Sequence, residues 1–385
     1  MPHLTASRRV ATCALFTLCL LATLLLPGSP ATAAKRSLSP RTEANLTKAL
    51  NQTFARTEAR GAIVGVWVKN RFWIATRGMS GTGKNARPKP GTHTRIGSVT
   101  KTFTATIVMQ LVREGKLKLN DAVDRWFPHM AGADEITIRQ LGDMSSGINS
   151  YSIDGSIVDR YLTRPRTTWN PWTLIDAGIA APRKFPAGNG FFYSNTNFLM
   201  LGKIIEVVTG RPIRQVMKRR IFKPLGMNST SYPGGMALPR PFWRGLTDQA
   251  VSGTPIRDAT NWSPTFLSSA GQIVSTVKDL GVYTKALGTG SLIGPRMQRL
   301  RLKPNPASIN GTRSYRFGVG VDNGWISHSG EIPGYNTQVA YLPRKRAAIV
   351  TLVNTDISNP DGDAPAPSLF VALAEVIAPA NVPTG

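Results

Sequence analysis

The feature that most restricts the fold of this chain is where its strand-like runs fall. Two lie near the start, at residues 62–68 and 72–76, separated by Lys69-Asn70-Arg71, which has the character of a hairpin turn. Three more lie near the end, at 325–328, 337–342 and 347–353, the last two joined by a basic turn at 343–346. Between them, from about Asn120 to Thr260, the chain turns helical; its clearest helix is 195–209, where Phe198, Leu201, Ile205 and Val208 form a stripe and Gly210 stands at the C-cap position. An amphipathic helix at 41–60, with Leu46, Leu50 and Phe54 at four-residue spacing, precedes the first strands, and a helix at 368–377 closes the chain. The predicted fold class is α+β. Both ends build one antiparallel sheet flanked by N- and C-terminal helices, with 34–120 and 261–385 as the sheet domain, 121–260 as a mainly helical insertion, and a cleft where the two meet.

The first 33 residues have a separate logic. Arg8 and Arg9 precede an apolar run at 10–26, then Pro27-Gly28 and the small residues 29–34, the pattern of an export signal cleaved after Ala33. An uncleaved anchor is the alternative, and Ser7-Arg8-Arg9 leaves the twin-arginine route open beside the general one. Cys13 and Cys19 both lie in this segment, so after cleavage thiol catalysis, disulfides and cysteine metal sites are excluded. The expected location is secreted or associated with the cell envelope, with no transmembrane helix once the signal is removed. The 47 Lys and Arg against 21 Asp and Glu, a net +26, would otherwise point to nucleic acid. Export turns that expectation toward anionic envelope polymers, set against a merely solvated basic surface. The excess is concentrated in residues 34–120, with 17 basic and 3 acidic side chains.

Three short stretches carry chemistry. Ser98-Val99-Thr100-Lys101 opens a helix expected to run to Gly115. A spacing of three puts both side chains on one helical face, so the Lys101 amine can take the Ser98 proton. Burial and the positive end of the helix dipole both disfavour the ammonium form, and the unpaired N–H groups of the helix start can face a developing oxyanion. By itself the pattern is weak: Ser275-Thr276-Val277-Lys278 repeats it, and there it reads as an N-cap followed by a solvated lysine. The second stretch is Tyr193-Ser194-Asn195, a tyrosine whose pKa can be depressed beside a lysine and an asparagine able to hold both the lysine and a substrate carbonyl. The third runs from His328 through Ser329, Gly330 and Glu331 to Gly334, where a strand meets a turn; glycine there lets a substrate lie along the strand edge, and the next N–H can be a second oxyanion donor. No metal-ligand spacing is present, and neither metal nor cofactor is expected. The glycine-rich stretch 78–84 has phosphate-loop spacing, but Asn85, Pro88 and Pro90 argue for a turn.

In this order the three stretches resemble the serine β-lactamase and DD-peptidase superfamily, in the branch of class C β-lactamases, D-alanyl-D-alanine carboxypeptidases and related esterases. The resemblance covers most of residues 40–378 and includes Glu114 to Asp121, Asn195-Thr196-Asn197-Phe198 and Pro224-Leu225-Gly226-Met227. It implies Ser98 as acylated nucleophile, Lys101 as its base and Tyr193 as proton relay to the leaving group and later to water. It further implies that Asn195 orients substrate, that His328 stands where many relatives have lysine, and that the N–H groups of Ser98 and Glu331 form the oxyanion hole. The expected protein is therefore an exported serine hydrolase, acting as a D-alanyl-D-alanine carboxypeptidase on envelope peptides. A related esterase and a catalytically silent envelope-binding protein are the alternatives; the substrate would be a peptidoglycan-type peptide, an ester or a β-lactam. One departure bears on the substrate: if Glu331 points into the cleft it repels a free carboxylate, and a neutral amide or ester becomes the better fit.

Overall fold

The computed structural model describes residues 37–81, 86–249 and 255–384. The segment expected to be an export signal lies outside the described residues, as does part of the glycine-rich stretch 78–84. Helix α1 (Pro40–Phe54) begins at Ser39, whose hydroxyl accepts the Thr42 N–H at 3.2 Å. It ends six residues short of the expected boundary. Strands β1 (Gly61–Val68) and β2 (Arg71–Gly78) form the first hairpin, with Lys69 in the left-handed region at its turn. Toward the C-terminus follow β3 (Ser314–Tyr315), β4 (Gly320–Asp322), β5 (Trp325–Ile332), β6 (Tyr335–Leu342) and β7 (Ala347–Val353).

These seven strands form one antiparallel sheet in the order β2-β1-β7-β6-β5-β4-β3. The two ends of the chain meet at its centre, where Ala62 pairs with Val353 and Val68 with Ala347. Every residue of β6 and β7 is buried, as expected of strands covered on both faces. On one face Val64, Val66 and Ile349 pack with Leu46 and Leu50 of α1 and with Leu369 and Leu373 of the closing helix. On the other, Ile63, Val350 and Leu352 join a larger core that holds the remaining helices. The pleat sorts alternate residues of each strand into the two cores. Gly65 of β1 and Gly281 clear a slot on the second face for Trp67: a Cβ on either glycine would lie 2.4 Å from its indole.

Helix α2 (Thr100–Arg113) is buried from Thr100 to Leu111, so it is a central element with no solvent face of consequence. Helix α3 (Asn195–Thr209) packs on it and ends in a left-handed Gly210. Between them the stretch 121–260 adds the helices Ile138–Gly142, Gly155–Thr163 and Pro171–Ala180. Helix α4 (Val277–Thr289) covers the second face of β7, β6 and β1, and α5 (Pro365–Ile377) lies beside α1. Two local expectations shift. The cap of α4 is Thr276, which accepts the Asp279 N–H, while Ser275 belongs to a two-residue ladder with Thr94; Lys278 is exposed as expected. The strand expected to stop at His328 continues to Ile332, because Ser329, Gly330 and Glu331 keep their pairing with Gln338, Thr337 and Asn336.

Candidate active site

Ser98 stands in the single 3-10 turn Gly97–Val99 that leads into α2. Gly97 has φ +48°, and a Cβ there would lie 2.8 Å from both the N and the O of Glu331. A Cβ on Gly330 would lie 2.0 Å from the Ile96 carbonyl oxygen. The two glycines let β5 press its backbone directly against the nucleophile turn, which brings the Glu331 N–H to the residue before Ser98. Sheet and helix N-terminus meet here.

Lys101 is wholly buried, and its Nζ lies 2.8 Å from Ser98 Oγ and 3.2 Å from the Ala270 carbonyl, which accepts from it. Burial holds its pKa well below the ordinary lysine range. A neutral amine in this position accepts the Ser98 hydroxyl proton. The Tyr193 ring lies 4.8 Å from Nζ, and its hydroxyl is hydrogen-bonded to Ser98 while 36% of the residue stays exposed. The phenol differs from expectation: burial raises its pKa instead of depressing it, and the Ser98 hydrogen bond offsets that only in part. Tyr193 is thus a neutral hydroxyl in the resting site.

Asn195 begins α3, and its Nδ2 donates to Ser152 Oγ at 2.8 Å. Its Oδ1 is buried without a hydrogen-bond partner among the described residues. His328 is 6% exposed and its pKa falls to about 3, chiefly through burial, so the ring is neutral at physiological pH. Its Nδ1 lies 2.5 Å from the Ser329 carbonyl and its Nε2 3.2 Å from the Tyr315 hydroxyl. Tyr193, Tyr315 and His328 form a triangle of rings with centroids 5.9 to 6.2 Å apart.

The structure therefore gathers Ser98, Lys101, Tyr193, His328 and the Gly330 backbone, with Asn195 at the start of the adjacent helix. Glu331 differs. Its side chain leaves the opposite face of β5 from His328 and Gly330, where Asn336 Nδ2 donates to its Oε2 at 3.3 Å. Burial, Asp356 and Asp248 raise its pKa, in that order. Ser329 shares that face. Sequence reasoning missed Tyr315 and Ala270. Tyr315 has a faint signal in the aromatic and glycine alternation 315–320; Ala270 acts through a carbonyl, which no residue type announces.

Comparison with known proteins bears on the fold and the family. A D-stereospecific amidohydrolase from Streptomyces is 28% identical, with a TM-score of 0.76 over 87% of this chain and 98% of that one. The D-amino acid amidase of Ochrobactrum anthropi SV3 complexed with D-phenylalanine shares the fold, at 22% identity and a TM-score of 0.78 over 88% of this chain and 99% of that one. Two Bacillus subtilis proteins, the putative penicillin-binding protein PbpX and penicillin-binding protein 4*, are 28% and 26% identical over 69% and 68% of this chain. The matched stretches span 63% and 60% of those relatives. The amidohydrolase and penicillin-binding neighbours support a serine hydrolase. With the Beta-lactamase family model matching residues 46–374, nearly the whole of the described fold, the chain belongs to the beta-lactamase family.

Proposed function

We propose that this protein is an exported serine hydrolase that cleaves amide bonds following a D-configured residue through an acyl-Ser98 intermediate. The observation that carries the reading is the 2.8 Å contact between Ser98 Oγ and a wholly buried, pKa-lowered Lys101 at the N-terminus of α2. Neutral Lys101 takes the hydroxyl proton as Oγ attacks the carbonyl carbon. Negative charge develops on the carbonyl oxygen, and the N–H groups of Ser98 and Glu331 receive it. The neutral Tyr193 hydroxyl gives its proton to the leaving nitrogen and the C–N bond breaks; the Tyr193 phenolate then takes a proton from the attacking water, and the Lys101 ammonium returns its proton to Ser98 Oγ as the acyl bond to Ser98 breaks. Asn195 Oδ1, otherwise unpartnered, accepts an N–H from the acyl portion of the substrate. The likeness to a D-stereospecific amidohydrolase supports an amide substrate of D configuration. The penicillin-binding relatives favour a second reading, a D-alanyl-D-alanine carboxypeptidase of envelope peptides.

Mass spectrometry of wild type and Ser98→Ala with a β-lactam, a short-chain ester and a D-alanyl peptide tests the reading. Wild type is expected to gain one acyl group on Ser98 and to lose it by hydrolysis, while the variant stays unlabelled. Stoichiometric labelling of Ser98→Ala sinks the assignment of the nucleophile.

A further inference from the structure

The stretch that carries Tyr193 is irregular until α3 begins at Asn195, so neither a helix nor a strand ladder holds it in place. The two N–H groups that flank Tyr193 instead converge on one residue. The Phe192 N–H donates to the Met144 carbonyl at 3.0 Å, and the Ser194 N–H donates to the Met144 sulfur at 3.3 Å. Asn197 Nδ2, in the first turn of α3, donates to the same sulfur at 3.6 Å. Ser194 is fully buried, so its N–H has no water to turn to. Met144 is fully buried as well and has φ +65°, in the left-handed region that a residue with a side chain enters at a cost. Such a conformation persists where the surroundings over-determine it. Neighbouring residues hold the same stretch on either side of these contacts: the Ser145 carbonyl accepts the Gly188 N–H at 2.8 Å, and Ser150 Oγ accepts the Asn195 N–H at 3.1 Å.

The Tyr193 ring is packed more loosely than its backbone. It is 36% exposed and meets Tyr315 edge-on and His328 at a tilt, with centroids 6.0 and 6.2 Å away. Its station 4.8 Å from Lys101 Nζ, with the hydroxyl bonded to Ser98, therefore depends on where the backbone sets its Cα.

We propose that Met144 is a positioning residue for proton delivery, its carbonyl and sulfur holding the Tyr193 backbone so that the phenol reaches the departing nitrogen. The inference rests on the acyl-serine reading. In the step it serves, the Tyr193 O–H bond breaks as an N–H bond forms, and the electron pair of the broken C–N bond goes to that nitrogen, which leaves as a neutral amine. A leaving group that is stable as an anion needs no such proton. A displaced Tyr193 thus slows amides more than activated esters, whereas a general loosening of the site slows both alike.

The test compares N-acetyl-D-alanine p-nitroanilide with the p-nitrophenyl ester of N-acetyl-D-alanine, which share their acyl half, and reads kcat/KM, which reports acylation and not the later water step. Met144→Leu keeps the volume and removes the sulfur acceptor. It is expected to lose about tenfold or more on the anilide, as misplacing a reacting group does, and less than about threefold on the ester. Met144→Gln, which returns an acceptor on a side chain of similar length, is expected to recover most of the loss. An equal loss on both substrates, or unchanged anilide turnover in a folded Met144→Leu protein, overturns the proposal. The unaltered protein supplies a readout free of any variant: the Ser194 amide is expected to exchange its hydrogen far more slowly than exposed backbone, and exchange at the exposed rate overturns the proposal too. A fluorophosphonate probe separates the two levels. Labelling of Ser98 with an anilide-to-ester ratio unchanged in Met144→Leu removes the role of Met144 alone; absence of labelling and of turnover in wild type removes the acyl-serine reading and that role with it.

Discussion

At the scale of single residues, the site depends on a lysine kept out of water. Lys101→Ala is expected to lower kcat/KM by roughly 10²- to 10⁴-fold, the usual worth of a positioned base, and Lys101→Arg to fare no better, because a guanidinium stays protonated. Because burial lowers the pKa of Lys101, the acid limb of the kcat/KM profile should fall well below the pH at which an exposed lysine loses its proton. A limb in the ordinary lysine range, measured on wild type, would contradict the role given to the amine. Ser98, Lys101, Tyr193 and His328 were legible because their chemistry is written in side chains at helix and strand spacings. The carbonyl of Ala270 and the face taken by Glu331 were not. The first is a backbone atom, and the second follows from a strand continuing through a stretch whose serine and glycine read as a turn.

At the scale of elements, the determining contact is that between β5 and the turn before α2. Gly330→Ala places a methyl carbon 2.0 Å from the Ile96 oxygen, so strand and turn must separate. A displacement near 1 Å between reacting groups costs about 100-fold in rate. The expected outcome is a kcat/KM loss of at least that order, with the circular-dichroism spectrum retained; full activity in a folded Gly330→Ala protein would show that the contact does not position the site. The slot at Gly65 and Gly281 gives a separate prediction in stability. Trp67→Ala should lower the free energy of unfolding by about 3 kcal/mol in urea titrations, the common cost of emptying an aromatic site. The elements themselves were readable where apolar periodicity was strong: β7 and α3 fall on their expected bounds. The short strands β3 and β4 were not, since two or three residues hold no period and are strands only because the edge of β5 is there to pair with.

For the molecule as a whole, two buried titrating groups shape stability in opposite ways. His328, depressed from 6.5 to about 3, stabilises the fold fully above its unfolded pKa, and that contribution is lost as the pH falls from about 6.5 toward 3. Asp356, raised from 3.8 to about 6, retains its proton longer when folded, so the same acidification relieves a cost between about 6 and 4. Unfolding free energies at pH 7, 5 and 4 should therefore fall more steeply in Asp356→Asn than in wild type and less steeply in His328→Gln, by on the order of 1 kcal/mol or more; parallel curves for all three proteins would refute this. The basic excess of 47 Lys and Arg over 21 Asp and Glu leads to an expected retention on an immobilised anionic polymer at low salt and release as salt screens it, and salt-independent retention would count against that origin. The pairing of Ala62 with Val353 carries a further consequence, for the order in which the sheet can close. Wherever the chain folds, the central edge of the first hairpin stays open until the final strands pair with it, and a chain that stops before residue 347 has no middle to its sheet.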